Sequence, residues 1–200
     1  VKGITMRHRS AVLEQDLHRM RVADRTPVSP PGTTGRSNPR AVVDLSAGTV
    51  TASVNVACRP ERLYRMLVTA ETERWWGSPE TYAMQEWNAE LRTGGTWRVL
   101  VCSVDGRRLP ASGRFLEFDP PEKIVQTRRY EFDHPTLGRR ETQVTYLFQP
   151  REGGALLTVF HEGFRDLEKA AAEHAVGWER VLGWLEPYAR AVNDEQRRWQ

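Results

Sequence analysis

From Thr49 onward the chain alternates apolar and polar residues in short runs, and at about Asp166 the period changes. Val50, Ala52, Val54 and Val56 lie two apart, which predicts a strand over 49–57 with one apolar face. Pro60 suits the first position of a helix, and Leu63, Tyr64, Leu67 and Val68 supply that helix with an apolar side. A second short helical turn is expected over 71–76, ending at Gly77. Strands are then expected over 84–91, 96–103, 111–118, 124–132, 142–148 and 156–162. Between them lie Gly94-Gly95, the hairpin signal Asp105-Gly106, the strand-ending Asp119-Pro120-Pro121, a loop with His134, Pro135 and Gly138, and Gly153-Gly154. In the last stretch Leu167, Ala171, His174, Trp178, Val181, Leu182, Leu185 and Ala189 recur at gaps of three and four, one face of a helix over 166–191. Asp166 is placed as its N-cap, and Glu168, Lys169, Glu173, Glu179, Arg180 and Glu186 on its wet face. Pro187 is expected to kink or restart it. A long helix with one apolar face needs a sheet to lie on. The expected fold is α+β, a curved antiparallel sheet wrapped around the long C-terminal helix, with the working space between them.

Ahead of this domain, residues 27–40 (PVSPPGTTGRSNPR) have the composition of a linker. Residues 1–26 carry one weak helical pattern through Val12, Leu13, Leu17 and Met20. The expected organisation is a basic tail and linker over 1–40, the domain over 41–192 and a C-terminal tail over 193–200. Charge follows that division. Residues 1–40 hold eight Lys/Arg against three Asp/Glu, a net of +5, whereas the remainder holds 21 against 23, a net of −2. The folded part therefore lacks the basic surplus that drives phosphate binding, and a nucleic-acid partner is not expected. No apolar run approaches a membrane span, no signal-peptide pattern opens the chain, and Cys58 and Cys102 have no metal-ligand spacing. A cytoplasmic protein with two free thiols is expected.

Five stretches occur in the order of a known family: ETERWWG (71–77), ELRTGGTWRV (90–99), GRFLEFDPPEKIV (113–125), FHEGF (160–164) and HAVGWERVLGWLEPY (174–188). Together they resemble the single-domain branch related to the C-terminal domain of the activator of the ninety-kilodalton heat-shock chaperone's ATPase. That branch lies within the START-like (SRPBCC), birch-pollen-allergen-like superfamily. The resemblance covers about residues 49–191 and implies the helix-grip fold around an apolar cavity. Superfamily members bind lipids, hormones and polyketides, and a few catalyse cyclisation or hydrolysis, so the resemblance says less about activity. Gln126 and Arg128 depart from it, standing where other members often carry apolar or aromatic residues.

Parity selects the residues that face the cavity. Leu157, Val159 and His161 share one face of the last strand, Tyr146 and Phe148 one face of the strand before it, and Trp97 and Val99 one face of the GGTW strand. All should face Trp178, Val181, Leu182 and Leu185. His161 is then either a polar landmark for a ligand or a histidine satisfied at the sheet edge. In the strand IVQTRRYEF, Ile124, Gln126, Arg128, Tyr130 and Phe132 share a face. If that face is inward, Arg128 needs an anion, which a ligand carboxylate or phosphate would supply; if not, its side chain reaches the rim. Trp75, Trp76, Trp87, Trp97 and Trp178 suit either a flat apolar ligand or an ordinary core, while Trp184 and Trp199 lie off the stripe.

The residues expected around a ligand are thus Trp76, Trp97, Val99, Arg128, Tyr130, Tyr146, Phe148, Val159, His161, Trp178 and Leu182. No phosphate loop, nucleophile elbow, HExxH or paired-carboxylate signature is present, so no catalytic residue, metal or cofactor is assigned. The leading expectation is a binding protein for a hydrophobic or amphipathic small molecule. The alternatives are a co-chaperone that stimulates a heat-shock chaperone ATPase, and a cyclase or hydratase using His161 or Tyr130. A chaperone and a second copy of the chain stand as alternative partners.

Overall fold

The structure is a computed structural model that describes residues 38–198. The Val12/Leu17/Met20 pattern and Trp199 lie outside the described residues. Eight strands form one antiparallel sheet: β1 (Arg40–Asp44), β2 (Thr49–Val56), β3 (Tyr82–Ala89), β4 (Thr96–Ser103), β5 (Arg108–Asp119), β6 (Lys123–Tyr130), β7 (Thr142–Arg151) and β8 (Gly154–Glu162). Their order across the sheet is β1-β2-β8-β7-β6-β5-β4-β3. Helix α1 (Pro60–Val68) and a 3-10 turn (Ala70–Arg74) connect β2 to β3, and helix α2 (Glu168–Arg198) closes the fold. This is the helix-grip arrangement. Among the described residues no helix is long and apolar enough to cross a membrane.

Alternation is the physical basis of the sheet. Val50, Ala52, Val54 and Val56 are all buried, and so are Leu157, Val159 and His161 opposite them on β8. The stripe on α2 meets this surface with Ala171, Trp178, Val181, Leu182, Leu185 and Ala189 buried. The sheet curves where the register shifts, between Gln85 and Asn88 on β3 and between Phe115 and Glu117 on β5. Gly113 lets β5 and β6 close up, since a Cβ there would stand 1.9 Å from the Thr127 carbonyl oxygen.

Three sequence expectations for the elements change. The first concerns β1, an edge strand that precedes the first expected one; its Ala41 amide donates to Glu179 Oε1 at 2.9 Å, so a residue assigned to the wet face of α2 ties down the sheet edge. The second concerns the start of α2. Asp166 has φ +62° and lies before the helix, and the Leu167 carbonyl accepts the first helical bond, from Ala171 N–H at 2.9 Å, so Asp166 is not the N-cap. The third concerns its end: α2 runs unbroken through Pro187 and beyond the expected boundary at 192 to Arg198. Pro187 is exposed, and Asn193 anchors the extension by donating to the Ala57 carbonyl at 2.8 Å.

Candidate functional site

α2 leans on β1 and β2, and this placement closes one half of the interior and opens the other. Over β2, β7 and β8 the inward side chains are buried in the core. Over β4, β5 and β6 the first half of α2 stands off the sheet, and Gly177 presents no side chain to fill the space. A cavity of about 240 Å³ remains. Its walls are Trp76 beyond the 3-10 turn, Tyr82 of β3, Val101 of β4, Leu109 and Ala111 of β5, Arg128 and Tyr130 of β6, Phe132 and His134 after β6, His161 of β8, and Glu173, His174, Gly177, Trp178 and Val181 of α2.

A directed hydrogen-bond chain fixes the floor. The Trp178 indole N–H can only donate, and it reaches His161 Nδ1 at 3.1 Å. Burial, with His174 and Arg128 adding to it, holds the His161 pKa well below 6.5, so the ring is neutral and its proton sits on Nε2. Nε2–H donates to Thr142 Oγ1 at 2.9 Å, and that hydroxyl donates to the Arg128 carbonyl at 3.1 Å. Both His161 nitrogens are therefore engaged, and the residue is 1% exposed. It lines the cavity as a satisfied structural histidine with no free position for acid–base work.

The rim is built from a stack of aromatic and imidazole rings. His174 Nδ1–H donates to the Ala170 carbonyl at 2.8 Å, which leaves Nε2 to accept from the Tyr130 hydroxyl at 3.3 Å. Burial is the main cause that lowers the His174 pKa to about 4. His134 stacks on Tyr130 with ring centroids 4.6 Å apart and accepts the Leu137 amide at Nδ1, 3.3 Å away. Its pKa is also lowered, chiefly by burial. Glu173 is exposed at the rim and accepts the Thr136 hydroxyl.

Arg128 is the one arginine or lysine on the wall. The inward orientation of its strand is settled by Ile124 and Gln126 of the same parity, both buried. Its guanidinium carbon lies 5.3 Å from the Tyr130 ring centroid, a cation–π contact, and its Nε is buried without a hydrogen-bond partner. Among the described residues no carboxylate forms an ion pair with it. Arg62, by contrast, is paired with Glu71, which also accepts the Tyr188 hydroxyl.

Of the residues expected around a ligand, the structure brings Trp76, Arg128, Tyr130, His161 and Trp178 to the cavity. Trp97, Val99, Tyr146, Phe148, Val159 and Leu182 face inward but belong to the closed core instead. Trp97 stacks on Trp87 with centroids 5.7 Å apart, Tyr146 packs edge-on to Trp178 at 6.1 Å, and Phe148 meets Tyr64 at 6.5 Å. Parity told which way they point and not where the helix stands off the sheet. Sequence reasoning missed Tyr82, Val101, Leu109, Ala111, Phe132, His134, Glu173 and Gly177 as wall residues and placed His174 only on the stripe. Gly177 carried a readable signal, a side-chain gap on the helix one residue before the largest buried ring. Cys58 and Cys102 are free thiols, and among the described residues no three His, Cys, Asp or Glu side chains cluster in a way that could hold a metal ion.

Comparison with known proteins places this architecture. The family model described as "Activator of Hsp90 ATPase homolog 1-like protein" matches residues 57–190. No curated protein matches the chain. Among solved structures, protein CV1439 from Chromobacterium violaceum is 25% identical with a TM-score of 0.62, covering 71% of this chain and 96% of its own. A protein from Rhodobacter sphaeroides is 24% identical with a TM-score of 0.66, covering 77% and 99%. The AHSA1 protein from Silicibacter pomeroyi is 21% identical with a TM-score of 0.60, covering 72% and 98%. The last two likenesses bear on the fold alone.

Proposed function

This chain belongs to the Activator of Hsp90 ATPase homolog 1-like family, and we propose that it binds a hydrophobic or amphipathic small molecule in the cavity between β4–β6 and the first half of α2. One observation carries the reading: an open cavity with aromatic walls contains an arginine that no protein carboxylate neutralises. Apolar walls supply adhesion and a few polar groups supply orientation, the usual division in ligand sites. A ring burying about 150 Å² gains roughly 4 kcal/mol at ~25 cal/mol per Å², a millimolar ceiling before association costs. The polar contact therefore decides whether binding is useful. The engaged state of His161 argues against the acid–base role considered for it, and a cyclase or hydratase would have to rely on Tyr130 and His174. The family description names a chaperone-ATPase activator, while the geometry of this chain favours the ligand reading.

The test uses 2-naphthol as a neutral probe, titrated against tryptophan fluorescence. A Cβ added at Gly177 meets nothing within 4 Å, so Gly177→Leu should fill the cavity and leave the fold intact. Saturable binding at one probe per chain, lost in folded Gly177→Leu, is the expected result. Equal affinity in the native protein and the folded variant, or no saturable binding at all, would overturn the reading.

A further inference from the structure

We infer that the ligand of this cavity is a monocarboxylate carried on a single aromatic ring by a short chain, with the carboxylate held by Arg128. The inference rests on the proposed ligand-binding reading and narrows it.

Three observations converge. The first is the condition of Arg128. A guanidinium N–H buried without an acceptor is costly, and chains normally supply a carboxylate, as this one does for Arg62. Arg128 instead has a ring against it and an Nε with no acceptor. A carboxylate is the acceptor whose geometry matches two guanidinium N–H groups at once.

The second is the charge inside the walls. His161 and His174 are held neutral chiefly by burial, which in His174 outweighs the opposing bond to the Ala170 carbonyl, and His134 is pushed the same way. Arg128 then supplies a single positive charge. A monoanion balances it, whereas a phosphate dianion would leave one charge uncompensated in a poorly solvated site. Glu173 stands exposed at the rim and repels an anion there, which turns the charged end of the ligand inward.

The third is size. A cavity of about 150 Å³ holds benzene. Of the 240 Å³ available, what remains amounts to about three water volumes at ~30 Å³ each, enough for a carboxylate and one or two methylenes.

The experiment compares two ligands of the same shape on the full chain. 3-Phenylpropionate and 3-phenylpropanamide are titrated calorimetrically at pH 8 in low salt, each also in competition with 2-naphthol. The acid should bind about tenfold or more tighter than the amide and displace 2-naphthol. In Arg128→Met that preference should collapse to roughly twofold or less while the amide binds as before. If both ligands displace 2-naphthol with equal affinity, or the amide binds tighter, the carboxylate assignment fails and the cavity reading stands. If neither these ligands nor 2-naphthol binds, both readings fail together. An acid that binds without displacing 2-naphthol lies elsewhere and also overturns the assignment. The native pair decides the matter by itself if Arg128→Met does not fold.

Discussion

The hydrogen-bond chain beneath the cavity makes a quantitative prediction for Thr142→Val. Valine has nearly the shape of threonine, so the packing of this residue, 3% exposed, is preserved. The hydroxyl it removes accepts from His161 Nε2–H at 2.9 Å and donates to the Arg128 carbonyl at 3.1 Å. His161 cannot escape by moving its proton to Nδ1, because the Trp178 indole N–H points at that atom from 3.1 Å. A buried donor left unpaired costs about 1–3 kcal/mol, and the added methyl returns about 0.8 kcal/mol, for a net loss of roughly 0.2–2 kcal/mol. Replacing both partners by apolar groups should remove the penalty, so Thr142→Val made in a His161→Leu background should be neutral or stabilising. The assay is urea denaturation of the four proteins at pH 8, read as a shift of midpoint at constant slope. A gain in stability in the native background, or the same loss in both backgrounds, would refute the donor–acceptor order of this chain of hydrogen bonds.

Trp178→Ala should cost about 3–5 kcal/mol, since the ring is 5% exposed and also leaves His161 Nδ1 without its donor; a loss under ~1 kcal/mol would mean the ring does not support the core. Acid should destabilise the fold early. His161, His174 and His134 all have folded pKa values below the unfolded value of 6.5, so below that pH the unfolded chain binds more protons and stability falls as pH drops toward 4. Each histidine that stays neutral contributes a slope of up to about 1.4 kcal/mol per pH unit, and a flat profile of denaturation midpoint from pH 6.5 to 4.5 would contradict the assignments. Gly113→Ala should destabilise by about 1–3 kcal/mol because the new Cβ meets the Thr127 carbonyl oxygen, and a thermal midpoint equal to the native one would show that β5 can move away. Gly177→Ala should instead stabilise by about 0.5–1 kcal/mol, as an unobstructed helical glycine, and destabilisation would show the space is occupied.

Alternation and helical periodicity made the meander, the long helix and the face each presents readable from the residues. The failures have local causes. β1 escaped notice because it is an edge strand whose Val42 is 67% exposed and whose pairing comes from β2, not from its own pattern. The end of α2 was invisible because residues 192–198 carry almost no apolar signal, and the helix continues there with Asn193 fixed to Ala57. Pro187 is tolerated because it lies on the exposed side of α2, where a carbonyl that loses its amide partner can turn to water. The candidate site was legible only in part. Trp76, Arg128, Tyr130, His161 and Trp178 reach the cavity, but whether an inward side chain lines a cavity or fills a core depends on the separation of helix and sheet. That separation is set by α2 leaning toward β1 and β2, a tertiary property that no single strand encodes.

The indole N–H signals in a two-dimensional nitrogen–proton NMR spectrum report directly on where a ligand sits. Trp76 and Trp178 are wall residues, whereas the Trp75 and Trp87 indoles donate to the Met66 and Val68 carbonyls, each at 2.9 Å, away from the cavity. During a titration with 3-phenylpropionate the Trp76 and Trp178 signals should shift together along one saturating curve, with Trp75 and Trp87 stationary. Saturating shifts at Trp87 with Trp178 unmoved would place the ligand at the Trp87–Trp97 stack, outside the cavity, and contradict the cavity site.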